Sequence, residues 1–279
     1  MEKIQAAIAK ARAERQAAQG LQPTRQDREA AARMEAEPAP SVAAQWDGME
    51  ERRFDAKHLQ RNRIVAHARD RESTAVDMMR TRVVQQMRAN KWRRMAVTSP
   101  TAACGKTTVS LNLAVSLSHQ QDLRTMLLDL DLRRPELARM AGLTDRPADL
   151  AQVLRGERPF TDNVVRYGSN LALGVNSRKI GNASELLASA GVADMLAGIE
   201  AVYQPDIMIF DMPPMLATDD MMAFARHVDC VLIVAEAERT TTREVDLCEQ
   251  ELARQTNIMG VVLNQCRYMG PEFDYGYYD

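Results

Sequence analysis

The sequence predicts an α/β fold, a mostly parallel sheet flanked by helices on both faces and preceded by a flexible helical leader. Three observations carry that prediction. After Trp92, short apolar runs alternate with helix-like segments, the pattern of strands covered on both faces by helices. A loop ending Gly105-Lys106-Thr107 joins the first such run to a helical pattern, the context in which a backbone loop and a helix N-terminus cradle phosphate. The chain has 279 residues, room for one domain of roughly 200 residues plus an appendage.

Taken in order, residues 1–50 are rich in Ala, Gln, Arg and Glu and poor in large apolar groups. Such a stretch buries too little apolar surface to order itself and is expected to be a flexible leader. Within it Ile4 and Ile8 stand at i, i+4, consistent with one short helix, and Pro38 and Pro40 mark a break. From Phe54 to Asn90 the pattern is helical and charged. Met78, Met79, Val83, Val84 and Met87 form a stripe at roughly helical spacing, which is expected to be core packing. Strands are then expected at Met95–Thr98, Thr125–Asp129, Ile207–Phe210, Val231–Val234 and Gly260–Leu263, with a helix from Lys106 to His119. The expected division is a leader over 1–50, one nucleotide-binding domain over 54–267 and a tail over 268–279.

Composition excludes several functions. Lys and Arg number 36 against 38 for Asp and Glu, a net charge of −2, and a nucleic-acid binder would carry a basic excess. No run of 18 uncharged apolar residues is present, and the N-terminus has no signal-peptide pattern. Cys104, Cys230, Cys248 and Cys266 show no metal-ligand spacing and are expected to be reduced thiols. One oddity stands out. Four of the six tyrosines (Tyr268, Tyr275, Tyr277 and Tyr278) crowd into the extreme C-terminus, where uniform scatter would put roughly 0.3.

The chemistry begins in Ser99-Pro-Thr-Ala-Ala-Cys-Gly-Lys-Thr-Thr108. Ala103, Cys104, Gly105 and Thr108 would line the phosphate site, Lys106 would reach the β- and γ-phosphates of ATP, and the Thr107 hydroxyl would bind Mg²⁺. Only one of the two usual glycines is present, because Pro100 occupies the first position. Two further strands end in carboxylates, Leu127-Leu-Asp129-Leu-Asp131-Leu-Arg133 and Ile207-Met-Ile-Phe-Asp211. Ligands in open parallel sheets bind beyond the carboxyl ends of the strands, so all three loops are expected to share one crevice. Asp211 suits the Mg²⁺ shell, and a lone Asp after a strand could equally be a helix cap.

With these motifs in view, the sequence resembles the bacterial tyrosine kinases of exopolysaccharide and capsule systems, a branch of the P-loop NTPases related to MinD and ParA. The supporting stretches are SPTAACGKTT, LLDLDLRRP, MIFDMPP, GNASELL and the tyrosine-rich end. The resemblance implies that Lys106 and Thr107 are the Walker A pair and Asp211 the Walker B aspartate. It implies that Asp129 helps deprotonate the attacking tyrosine, with Asp131 near the Mg²⁺ waters and Arg133 as the trailing arginine. Asn264 would contact adenine, and Tyr268, Tyr275, Tyr277 and Tyr278 would be phosphate acceptors presented to a neighbouring subunit. A membrane-embedded chain-length regulator as activator, a homo-oligomer and a tyrosine phosphatase are the implied partners, with no nucleic acid. The implied location is the cytoplasmic side of the inner membrane, reached through the partner. Three departures accompany the match, the first being a tail of only four tyrosines, a short cluster. Ala103 stands where glycine is common, and the family's Glu-x-x-Arg-x-x-Arg helix aligns with Asp77, Arg80 and Val83, so its last arginine is missing. Rival expectations are a MinD/ParA-like ATPase switch and an ATP-binding scaffold without kinase activity. The switch proteins usually carry a lysine early in the loop, and none lies between Arg94 and Lys106.

Overall fold

The computed structural model describes residues 40–68, 70–145 and 149–267, and the chain divides into two compact units, 1–44 and 45–279. The expected helix around Ile4 and Ile8 and the four tail tyrosines lie outside the described residues. A short helix (α1, Val42–Asp47) carries Trp46, whose indole N–H donates to the Tyr203 carbonyl at 2.8 Å. Composition places Trp46 and Met49 in the leader; both are buried.

Eight strands form one sheet: β1 (Glu50–Glu51), β2 (Arg94–Thr98), β3 (Thr125–Asp129), β4 (Val164–Tyr167), β5 (Leu171–Gly174), β6 (Ile207–Asp211), β7 (Cys230–Glu236) and β8 (Asn257–Asn264). Their order is β1-β4-β5-β3-β6-β2-β7-β8, and only β4 and β5 run antiparallel. All five expected strands are present, each at or within a few residues of its expected bounds. Three strands were not expected. β1 is two residues long, and β4 and β5 are four each. The signal for the last two was available, because Tyr167-Gly-Ser-Asn170 separates two apolar runs as a hairpin turn does.

The helices before the sheet resolve into α2 (Ala56–Arg61) and α3 (Thr74–Asn90), with two 3₁₀ turns between them. Val83, Val84 and Met87 of the apolar stripe are buried against the core, as expected of packing residues. The helix after the phosphate loop (α4, Lys106–Ser118) is buried nearly all round, so its polar residues need internal partners. They have them. Asn112 donates to the Arg63 carbonyl at 2.9 Å and accepts from the Ala66 N–H at 3.1 Å, and Ser116 donates to Asp77 at 2.6 Å.

Strand alternation decides which face each carboxylate meets. Ile207 and Ile209 of β6 and Leu127 of β3 join the core cluster that holds Leu111 and Leu113 of α4. On the opposite face Phe210 packs edge-on against Phe224 of α5 (Asp220–Phe224), with ring centroids 4.9 Å apart. Asp129 and Asp211 share the parity of Leu127 and Ile209 and are register partners across β3 and β6, so both point to the α4 side. No helix among the described residues is long and apolar enough to cross a membrane.

Candidate active site

Gly105 ends the phosphate loop with φ +83° at the N-cap of α4, a left-handed conformation that costs glycine nothing. A Cβ there would run into the side-chain amide of Asn264, which would have to move. Ala103 has φ +69°, which costs an L-residue roughly 1–2 kcal/mol. Cys104 is fully buried, its thiol donating to the Thr101 carbonyl at 3.2 Å and lying 3.7 Å from the Thr240 hydroxyl. That is the environment of a small side chain filling a gap.

The first turn of α4 turns Lys106 and Thr107 onto the carboxylates. Lys106 Nζ lies 2.9 Å from Asp131 Oδ2 and 3.6 Å from Asp211 Oδ2. The Thr107 hydroxyl donates to Asp211 Oδ2 at 2.6 Å and Ser110 donates to Asp211 Oδ1 at 3.2 Å. Asp131 N–H donates to Asp129 Oδ1 at 3.2 Å, so one turn after β3 fixes two of the carboxylates relative to each other. Asp129 Oδ2 is buried and has no hydrogen-bond partner.

The electrostatics follow from burial. Removal from water pushes the Asp129 carboxyl well above the ordinary aspartate range, and the neighbouring Asp211 charge pushes the same way. Burial also raises Asp211, against the pull of the Lys106 ammonium and the Thr107 hydroxyl. Burial disfavours the Lys106 charge, but Asp211 and Asp131 outweigh it and hold the ammonium above its usual pKa. The pocket is therefore acid-rich with one buried cation. The Thr107 hydroxyl and the Asp211 and Asp131 carboxylates are hard oxygen donors that fit Mg²⁺, which takes one or two protein carboxylates and fills its remaining sites with phosphate oxygens and water.

The structure brings together Lys106, Thr107, Asp129, Asp131 and Asp211. Arg133 is engaged elsewhere, donating to both oxygens of the fully buried Asp220 at 2.8 and 2.9 Å. The Asn264 side-chain amide donates to the Cys104 carbonyl at 2.8 Å, so it is bound to the loop itself. Sequence reasoning missed Ser110, Asp220 and Gln265. The last donates to the Ala103 carbonyl at 2.8 Å, and its place just past the carboxyl end of a parallel strand was the available signal.

Comparison with known proteins places the fold in a family. The ParA family model, described as NUBPL iron-transfer P-loop NTPase, matches residues 91–276. Among solved structures, the VpsO kinase domain is 31% identical with a TM-score of 0.61, the match covering 69% of this chain and 94% of that one. The kinase domain of Escherichia coli tyrosine kinase ETK is 28% identical with a TM-score of 0.66, over 77% of this chain and 85% of that one. Tyrosine-protein kinase wzc of Salmonella typhi is 29% identical over 219 residues. The chain belongs to the bacterial tyrosine kinases, within the ParA-like P-loop NTPases. It corresponds to the kinase-domain portion of its longer relatives, for the match covers 77% of this chain and 30% of the wzc protein. Asp77 and Arg80, expected from the sequence to match a family helix motif, bond to Ser116 of α4, and Val83 is buried.

Proposed function

We propose that this chain is an ATP-dependent protein-tyrosine autokinase that transfers the γ-phosphoryl group of ATP to Tyr268, Tyr275, Tyr277 and Tyr278 of another copy, and so regulates exopolysaccharide or capsule polymerisation or export. The observation that carries the reading is the buried, unpartnered Oδ2 of Asp129 beside Lys106, in a family of tyrosine kinases. A phenol has a pKa near ~10, and its attack needs a base. A carboxylate with a raised pKa is a better-matched acceptor than an ordinary one.

Each step then has an assigned group. The loop from Ala103 to Thr108 holds the phosphates through backbone N–H groups, and Lys106 neutralises charge on the β- and γ-phosphates. Thr107, Asp211 and Asp131 would hold Mg²⁺, which would supply positive charge against the charge developing on the phosphates. The tyrosine hydroxyl gives its proton to Asp129 Oδ2 as its oxygen bonds to the γ-phosphorus, and the bond from that phosphorus to ADP breaks. Asn264 would contact the base, and Arg133 is held by Asp220. A membrane-embedded chain-length regulator would activate the chain and place it at the inner membrane, and a tyrosine phosphatase would reset the tail.

The test is incubation of the purified chain with Mg·ATP and mapping of phosphate by mass spectrometry, beside Lys106→Ala prepared identically. Phosphotyrosine at the tail of the native chain and none on the variant is expected. ATP hydrolysis with no phosphotyrosine would replace this reading with an ATPase switch.

A further inference from the structure

The root of the tail is fastened to the phosphate loop by two successive residues. Asn264 closes β8 and donates through its side-chain amide to the Cys104 carbonyl at 2.8 Å. Gln265 follows with φ +60° and donates through its own amide to the Ala103 carbonyl at 2.8 Å. Both partners of the second bond, Ala103 and Gln265, are thus non-glycine residues in left-handed backbone. Such residues persist only where their surroundings over-determine them, and they gather at functional sites.

The consequence for the loop is stereochemical. All described peptide bonds are trans, and in a planar trans peptide the C=O and N–H vectors are opposed. A carbonyl of Ala103 held toward Gln265 turns the Cys104 N–H the other way. A carbonyl of Cys104 held toward Asn264 does the same to the Gly105 N–H. Among the described residues neither of these N–H groups donates to a protein acceptor. Two adjacent unsatisfied donors aimed the same way ahead of a helix N-terminus make an anion nest.

We propose that Gln265, with Asn264, is a positioning residue for phosphate binding: the two amides hold successive loop carbonyls outward so that the Cys104 and Gly105 N–H groups face the nucleotide phosphates. Without Gln265 the Ala103–Cys104 peptide rotates, because the left-handed Ala103 has no other clamp on its carbonyl. The proposal rests on the nucleotide-binding part of the reading above and is independent of which group accepts the phosphoryl. Gln265 is exposed, so its replacement leaves the core untouched.

The test compares the native chain with Gln265→Leu, which keeps the bulk without the donor, and Gln265→Gly, which removes the donor and relieves the left-handed backbone. Binding of Mg·ATP, Mg·ADP and adenosine is measured by calorimetry, and urea midpoints check the fold. Both variants should bind Mg·ATP and Mg·ADP about 5–20-fold more weakly, the usual effect of losing a hydrogen bond that serves a charged ligand. Adenosine affinity should be unchanged, and the loss in phosphorylation should fall on KM for ATP rather than kcat. Variants that bind Mg·ATP as the native chain does overturn the proposal and leave the kinase reading intact. Equal losses for ATP and adenosine also overturn it, by assigning Gln265 to the base or sugar. A native chain that binds no Mg·ATP removes the nucleotide reading and the proposal together.

Discussion

At the scale of single residues, the site holds charge in a place where charge is unfavourable. Asp129 is the sharpest case, since it is fully buried and one of its oxygens has no partner. Its folded pKa lies above the unfolded value of about 3.9, so between the two the folded chain binds more protons than the unfolded one. Stability contributed by this group is therefore present at low pH and falls as pH rises through that window. Asp129→Asn removes the penalty with the same shape. The variant should be more stable than the native chain by about 0.5–2 kcal/mol at about pH 8, as is common when a functional residue is neutralised. The advantage should shrink as pH falls toward and below about 4, where the Asp129 carboxyl is protonated in the folded state and increasingly so in the unfolded one. Tail phosphorylation should fall about 10²–10⁴-fold, the usual value of a general base. Urea titrations at the two pH values check the first half, and an unchanged or lower midpoint at about pH 8 would show that Asp129 is not a stability cost. The same residues show what was legible in the sequence. Lys106, Thr107 and Asp211 were readable because each lies in a local motif whose strand or helix aims it. The Gln265–Ala103 bond was not readable, because it joins residues 162 apart and neither type announces it.

At the scale of elements, the central strands were legible because short buried apolar runs, Met126–Leu128 and Ile207–Phe210, each ending in an aspartate, allow little else. β1 was not, since Glu50 and Glu51 are both exposed and gain strand form only by pairing with Val165 and Arg166. The helix α3 is intermediate. Its apolar stripe was visible, but its polar attachment to α4 was not. Asp77 accepts from Arg80 Nη1 at 2.8 Å and from the Ser116 hydroxyl at 2.6 Å, and Arg80 also donates to Ser116 at 3.1 Å. This network joins α3 to the C-terminal end of α4, about three turns from the phosphate loop at its other end. Asp77→Ala strands a buried serine hydroxyl and a half-buried guanidinium, and should lower stability by about 1–3 kcal/mol in urea with the m-value unchanged. Mg·ATP affinity should not change. A loss under about 0.5 kcal/mol would show the triad to be an ordinary surface pairing.

At the scale of the whole molecule, the fold gathers its chemistry by topology, because β2, β3 and β6 run parallel and adjacent and so deliver their loops to one edge. β8 is parallel to β7 and ends at Asn264, so the chain leaves the sheet on that same edge, with Asn264 and Gln265 already bonded to the phosphate loop. The tyrosine-rich segment, odd as composition, begins three residues after Gln265. Attachment so near its own site makes the direction of transfer a quantitative question. A tethered tail acting on its own chain works at an effective concentration of order mM, so its rate per chain ignores dilution. Transfer between copies is second order, and the rate per chain should fall in proportion as the protein is diluted about tenfold through the micromolar range. A mixture separates the two directly. Lys106→Ala supplies an intact tail with a disabled site, and a chain with Tyr268, Tyr275, Tyr277 and Tyr278 all changed to Phe supplies an intact site with no acceptor. Transfer between copies predicts phosphotyrosine on the Lys106→Ala chain in the mixture and on neither chain alone. If the rate per native chain is independent of dilution and the Lys106→Ala chain stays unmodified, each chain phosphorylates itself, and the tail must reach back across the Ala103–Gly105 loop beside which it starts.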